Sequence, residues 1–103
     1  MSIPGTQVRY SKWTNVLDIY DDGYNSAIWG SYDGNLNRCL GVRYNGEGQS
    51  KGFPNIEGFP LWYVEPDFLT RPILLEFLTL INTDPKRGNL INLTIALNEI
   101  AAR

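Results

Sequence analysis

Histidine is absent from this 103-residue chain, and cysteine occurs only once, as Cys39. The usual general base of enzymes and the commonest metal-binding side chain are therefore both missing. A structural zinc site draws its four ligands mainly from cysteine and histidine, so the composition excludes one. A single thiol cannot form an intramolecular disulfide, and it is typical of proteins in the reducing cytosol. We therefore expect a cytoplasmic protein that holds no metal and no cofactor.

Basic charge and long apolar runs are also scarce. Nine lysine and arginine residues stand against eleven aspartate and glutamate residues, which gives a formal net charge of -2. Because nucleic-acid binding depends largely on basic side chains that contact phosphates, this balance argues against DNA or RNA as a partner. No apolar stretch approaches the roughly 20 residues that a membrane-spanning helix needs. The N-terminus also lacks the charged-then-apolar pattern of a signal peptide. We therefore expect no membrane association.

Two local patterns suggest a ligand site, but neither has the required spacing. Residues 46–52 are rich in glycine, yet a P-loop needs glycine immediately before its lysine, and Ser50 precedes Lys51 here. The acidic cluster at 18–22 would start a calcium-binding loop only if a glutamate stood at the position of Trp29. Catalysis would have to rely on carboxylates alone, and a domain of this size has little room for a deep cleft. The sequence therefore predicts a protein that is not an enzyme.

The chain has a marked share of aromatic residues, at 13%. One group of them falls within residues 53–68, in a segment that also carries glycine and proline: Phe53, Phe59, Trp62, Tyr63 and Phe68. Aromatic side chains dominate the binding hot spots of protein interfaces, so we predict that this group contacts a partner. The alternative is that these side chains fold back and seal the core.

A second candidate surface combines arginines and tyrosines on the predicted strands. The arginines of this region are Arg9, Arg38 and Arg43, and its tyrosines are Tyr20, Tyr24 and Tyr32. If one face of the sheet is open to solvent, this mixture resembles the composition of protein interfaces. We therefore include Arg38 and Arg43 among the candidate binding residues.

The order of the periodic patterns predicts an α+β fold. Strand-like alternation, interrupted by turns such as Asp33-Gly34, extends over roughly 7–64, with a long Gly-rich connection after residue 44. Apolar residues at helical spacing then follow over roughly 70–82 and 89–102. We predict an antiparallel β-meander of about four to five strands, followed by two C-terminal helices packed on one sheet face, in a single domain spanning 1–103.

The helix termini and one helix face give further expectations. Asp67 or Thr70 can be the N-cap of the first helix, and Thr70 is favoured because Pro72 is then tolerable in the first turn. Asn89 is expected to start the second helix. Ile91 and Ile95 fall off the apolar face of that helix, so they either pack on the first helix or form a contact between two copies of the chain.

The functional prediction is a small protein-interaction module of the adaptor or partner-neutralising type. Its partner would be another protein or a second copy of this chain. The alternative function is a small-ligand-binding domain or a minor enzyme that uses the Gly/Pro-rich segment 45–68. The two functions differ in whether Phe59 and Trp62 face a pocket, a flat surface or the core.

Overall fold

The computed structural model describes residues 3–103. Its regular elements are six strands and two α-helices: β1 (Trp13–Asp21), β2 (Asn25–Tyr32), β3 (Cys39–Tyr44), β4 (Asn55–Ile56), β5 (Phe59–Pro60), β6 (Tyr63–Val64), α1 (Asp67–Thr83) and α2 (Leu90–Ala101). Short 3-10 turns occur at Gly5–Gln7 and Pro85–Arg87. The predicted α+β order is confirmed.

The main sheet has four antiparallel strands in the order β1-β2-β3-β6, and β4 pairs with β5 in a separate two-stranded sheet. The β1–β2 hairpin closes at Asp22, whose carboxylate accepts hydrogen bonds from the backbone N–H groups of Tyr24 and Asn25. The β2–β3 connection contains Asp33 and Gly34, both at positive φ. Short polar residues and glycine accept that left-handed backbone most readily, which is why this connection turns here.

Both helices cover one face of the sheet. The core on that side includes Trp29 and Leu40 from the strands and Leu74, Leu93 and Ala96 from the helices, all of them fully buried. This arrangement confirms the prediction of two C-terminal helices on one sheet face. It follows from the apolar stripe that each helix carries at a spacing of three to four residues.

The opposite face of the sheet is covered as well. Trp13 and Trp62 form a second buried cluster there with Val8 and Ile28. The Trp13 indole fits because β3 has a glycine beneath it: an added Cβ at Gly41 would lie 3.0 Å from the ring. The open Tyr/Arg face that the sequence suggested is therefore not present. The irregular segments that carry Val8, before β1, and Trp62, before β6, cover that face.

Two local expectations differ from the structure: an opening strand over 7–10, and the alternation that predicts Tyr20 on the face of its strand opposite Leu17 and Ile19. Residues 7–10 form no strand, and the N-terminal segment instead reaches the sheet through the 3-10 turn at Gly5–Gln7. Tyr20 lies on the helix side and stacks on Phe77, with ring centroids 4.7 Å apart. A register shift between Asp18 and Tyr20 inserts Ile19 as an extra residue, and this bulge reverses the alternation at Tyr20.

Helix α1 begins earlier than expected, whereas the start of α2 is confirmed. Pro66 is the N-cap residue of α1, and the Thr70 hydroxyl donates to its carbonyl from inside the first turn. Pro72 lies in the second turn, where its missing N–H leaves the Phe68 carbonyl without its usual helical donor. In α2, the Asn89 side chain accepts a hydrogen bond from the backbone N–H of Asn92.

Candidate functional site

Most of the aromatic-rich segment belongs to the connection between β3 and β6, and the Arg43 side chain holds this connection through hydrogen bonds. The Arg43 guanidinium donates to the carbonyls of Leu61 and Lys51, both at 2.6 Å, and to that of Pro54 at 3.3 Å. These three carbonyls belong to both ends of the connection, so one buried side chain fixes its two arms. Arg43 is only 3% exposed, and its guanidinium therefore acts within the fold.

Backbone pairing holds the same connection against β3. Phe53 and Tyr44 exchange two hydrogen bonds, of 2.9 and 2.8 Å between backbone N and O atoms. Gly52 precedes that pair at a φ of 80°, and an added Cβ there would lie 2.1 Å from the Tyr44 carbonyl oxygen. Only glycine fits so close to the strand, so this position fixes where the connection leaves the sheet.

The tip of the connection is the small hairpin formed by β4 and β5. Glu57 and Gly58 link its strands, both at positive φ, as a tight two-residue hairpin turn requires. This hairpin places Ile56 and Phe59 side by side at the surface, 65% and 63% exposed. Two large apolar side chains are therefore held in solvent by a segment with a defined backbone.

A groove on the side away from the helices runs beneath this hairpin. We name it the Trp groove; its volume is about 550 Å³, and its lining includes Tyr10, Trp13, Tyr32, Ile56, Phe59 and Trp62. The Trp62 indole is buried and donates through Nε1 to the Val8 carbonyl at 2.9 Å. The Trp13 ring lies 5.1 Å from that of Tyr32. The walls are therefore fixed aromatic surfaces.

A second groove lies on the other side of the connection, next to α1. We name it the Phe53 groove; its volume is about 470 Å³, and its lining includes Val42, Arg43, Tyr44, Phe53, Tyr63 and Phe77. Phe53 and Tyr63 are 69% and 49% exposed at its rim. The Gly/Pro-rich connection thus separates two apolar grooves.

The remaining candidates, Arg38 and Phe68, lie apart from both grooves. Arg38 is half-buried and binds the Glu99 carboxylate through Nε, at 2.9 Å, and through Nη2. Glu99 also accepts a hydrogen bond from the Trp29 indole at 2.8 Å. The hydrogen bond from Arg38 is the main cause that holds the pKa of Glu99 below its usual value, and the hydrogen bond from Trp29 lowers it further. Phe68 is in the first turn of α1 and is 80% exposed.

The structure thus divides the candidates that the sequence suggested. Phe59 and Trp62 belong to the Trp groove, whereas Phe53, Tyr63 and Arg43 belong to the Phe53 groove. Sequence reasoning missed Tyr10, Trp13 and Ile56, which complete the Trp groove. Gly30 and Gly41, on neighbouring strands and both close to the Trp13 ring, could have indicated that a large ring packs over them, since glycine within a strand often marks a close approach.

Nothing in the described chain suggests a metal centre or a membrane span. Within residues 3–103, no three acidic or cysteine side chains cluster in a way that could hold a metal ion. In the same residues, no helix combines the length and the apolar character needed to cross a bilayer. Neither protein-family models nor curated proteins nor solved structures give any match to this chain.

Proposed function

We propose that this chain is a non-enzymatic protein-interaction module of the adaptor or partner-neutralising type, which binds its partner through the Trp groove. The observation that carries the proposal is the exposed pair Ile56 and Phe59 above fixed aromatic walls. Exposed apolar side chains that meet in one patch commonly mark binding surfaces. Because a two-residue turn and cross-strand pairing constrain the hairpin backbone, a partner loses little binding energy to fixing it.

The composition of the groove fits an apolar anchor from the partner. Tyrosine and tryptophan supply large contact areas with few rotatable bonds, and Trp62 has its polar N–H satisfied internally. We place this interaction in the cytoplasm, because the one cysteine, Cys39, is unpaired. The partner is another protein or a second copy of the chain.

The test is affinity capture with wild type and two serine variants from a lysate of the source organism. Phe59→Ser removes an exposed wall of the Trp groove, and Leu36→Ser is the matched control, because Leu36 is 97% exposed and is not among the residues that line the groove. Loss of a hot-spot side chain costs about 2 kcal/mol or more, which is about a 30-fold loss of affinity. We expect a retained protein that Phe59→Ser loses and Leu36→Ser keeps.

Light scattering of the same three proteins distinguishes self-association from a different partner. If the second copy is the partner, wild type and Leu36→Ser have the mass of a dimer, whereas Phe59→Ser has that of a monomer. Equal capture and equal mass for all three proteins would refute the proposed function. Association through Ile91, which is 75% exposed, and Ile95 stays a prediction, and loss of the dimer in Ile95→Asp would support it.

The Trp groove also favours small-ligand binding as a second candidate function. Its volume of about 550 Å³ is within the range of small-molecule pockets, and Trp62 has open space beside it. Thermal-shift screening against sugars, nucleotides and metabolites tests this function. A ligand that stabilises wild type and Leu36→Ser but not Phe59→Ser would support it, and the absence of any such ligand would count against it.

A further inference from the structure

A polar pocket lies at the end of the sheet, beside the last turn of α2. We name it the Ser31 pocket; its volume is about 790 Å³, and its lining includes Asn15, Leu17, Ser31, Asn37, Arg38 and Glu99. None of these residues lines the Trp groove or the Phe53 groove. The proposed function therefore makes no use of this pocket.

The Ser31 hydroxyl faces the pocket and has no partner. Strand alternation places Ser31 on the same face of the sheet as Trp29, which belongs to the helix-side core, and the pocket is on that face because Glu99 of α2 also lines it. Ser31 is 4% exposed, and its hydroxyl forms no hydrogen bond with any other atom of residues 3–103. Within the same residues, the one fully enclosed side-chain polar atom that lacks a partner is Nε of Arg43, so the Ser31 hydroxyl keeps its contact with the pocket. Polar groups buried to this extent normally have a hydrogen-bond partner, which a ligand would supply here.

The wall next to Ser31 is the ion pair of Arg38 with Glu99. Arg38 donates through Nε to the Glu99 carboxylate at 2.9 Å, through Nη2 to the same carboxylate, and through Nη1 to the Asn15 carbonyl at 3.2 Å. A guanidinium carries more N–H groups than these contacts use, so Nη1 and Nη2 each keep a donor for a ligand. The Glu99 carboxylate is partly exposed and has lone pairs beyond those that Arg38 and Trp29 occupy. The wall therefore offers donors and acceptors side by side.

The charges around the pocket are balanced. Arg38 is paired with Glu99, and Arg103, which also lines the pocket, is paired with Asp67 at 3.0 Å. The other polar lining groups are neutral: the Ser31 hydroxyl, and the side-chain amides of Asn15 and Asn37, which form no hydrogen bonds within the described chain. Hydroxyl and amide groups both donate and accept hydrogen bonds. A neutral ligand with several hydroxyls complements such a lining better than an ion does.

We infer that the Ser31 pocket binds a neutral polyhydroxylated molecule of monosaccharide size, whose hydroxyls bond to Ser31, Asn37 and the Arg38–Glu99 pair. Its volume is within the range of about 300–1,000 Å³ that small-molecule sites occupy. Leu17 and Ala102 add apolar surface to the lining, against which the C–H groups of a sugar ring can pack. No bond forms or breaks, so the site is one of recognition only.

The distinguishing property of the site is its dependence on the ligand's hydroxyls. A site built to bond hydroxyls rejects an analogue that lacks them, because its own buried polar groups are then left without partners. A ring of the same size without ring hydroxyls should consequently bind more weakly. An anion should gain little, because carboxylates already neutralise both arginines.

The experiment is an NMR titration of backbone amides with D-glucose, D-galactose, D-mannose, N-acetyl-D-glucosamine and myo-inositol. We expect at least one of these polyols to shift the amides of Ser31, Asn37 and Arg38. Tetrahydropyran-2-methanol keeps a six-membered ring and a single hydroxyl, and it should bind at least about fivefold more weakly than that polyol. Inorganic phosphate at the same millimolar concentrations should leave these amides unshifted.

Two buried serines of β2 provide the variant and its matched control. Ser31→Ala should weaken binding of the polyol about fivefold without lowering the urea midpoint, because the hydroxyl has no partner to lose. Ser26 is 3% exposed, and its hydroxyl bonds to the Asn45 side chain. Ser26→Ala should therefore lower the urea midpoint and leave polyol binding unchanged.

Several outcomes would overturn the inference. These are the absence of shifts at Ser31, Asn37 and Arg38 with all five polyols, equal affinity for tetrahydropyran-2-methanol, binding of phosphate as tight as that of the polyol, or unchanged binding by Ser31→Ala. Phe59→Ser separates this site from the Trp groove, since it should bind the polyol as wild type does. Partner capture does not involve the Ser31 pocket, so the two proposals fail separately.

Discussion

The two faces of the sheet are covered in different ways. On one face, α1 and α2 supply regularly spaced apolar side chains, and ten buried residues form a continuous cluster. On the other, Trp13 at the start of β1 packs with Val8 and Trp62 from irregular segments, and the buried cluster has four residues. The irregular cover depends on a few large rings and a few hydrogen bonds. The Trp groove lies beside this cover, which suggests that binding surfaces arise where packing is least regular.

This difference leads to an expectation about local stability. Regions with few buried apolar contacts and backbone hydrogen bonds near solvent open more readily than the main core does. The irregular cover and the connection 45–62 should therefore open before the helix-covered face.

The largest change is expected for Arg43→Met. Methionine fills much of the volume but leaves the carbonyls of Lys51, Pro54 and Leu61 without their donor. At about 1 kcal/mol for each lost hydrogen bond, the cost is about 3 kcal/mol. Hydrogen exchange should show faster exchange of the Phe53 and Leu61 amides.

The core on the helix side provides the internal reference for Arg43→Met. The Leu93 amide, bonded to the Asn89 carbonyl at 3.0 Å, should keep its slow exchange if the connection opens locally. Arg38→Met is the matched control, because Arg38 bonds to Glu99 and not to this connection. Uniform acceleration that includes Leu93 would mean that the two faces open together, and the comparison would then be wrong.

A smaller loss is expected for Gly41→Ala, which tests how Trp13 is seated. The added methyl group would lie 3.0 Å from Cη2 and 3.1 Å from Cζ2 of the Trp13 indole. Overpacking of this kind costs about 1–3 kcal/mol, which urea denaturation measures. Phenylalanine lacks the outer indole ring, so the same substitution in a Trp13→Phe background should cost about 1 kcal/mol less.

The four proteins of this cycle separate the contact with Trp13 from any other effect. A coupling energy between Gly41→Ala and Trp13→Phe is expected, because residues in contact are not additive. Additive losses would instead place the strain at Ile28, whose Cγ1 lies 3.1 Å from the same added methyl group. In that case the Trp13 ring would not be the reason why β3 has a glycine at position 41.

What could be predicted from the sequence follows the same division between the two faces. The helix-covered face was predictable, because apolar spacing marks α1 and α2 and Asn89 marks a helix start. Pro72 misplaced the first helix start, since a proline in the second turn is tolerated only through packing that spacing does not reveal. The bulge at Ile19 reversed Tyr20 for a similar reason, because a bulge has no reliable sequence signal.

The irregular cover was not predictable from periodicity. Trp13 and Trp62 are far apart in sequence, and their packing depends on the long-range contacts of Gly41 and Val8. The sequence did mark the segment 53–68 as unusual through its aromatic, glycine and proline content. It could not show that Arg43 would be buried beneath that segment, because arginine alternating within a strand normally indicates a solvent-facing side.

The smallest change is expected for Glu99→Gln, on the helix-covered face. Hydrogen bonding to Arg38 lowers the pKa of Glu99 in the folded state. The charged carboxylate therefore stabilises the fold at pH values above 4.5, which is the usual pKa of glutamate. This contribution is lost as the pH falls through the lower folded-state pKa. The side chains of Arg38 and Glu99 are 22% and 35% exposed, so solvent screening limits the cost to about 0.5–1 kcal/mol at neutral pH.

Urea denaturation should therefore give different free energies of unfolding for wild type and Glu99→Gln at pH 7, and equal ones in acid. Glu76→Gln, at an exposed site on α1, should match wild type at every pH. A loss of unfolding free energy larger than that of Arg43→Met would contradict the comparison. The ion pair between Arg38 and Glu99 would then contribute more to stability than the buried side chain of Arg43.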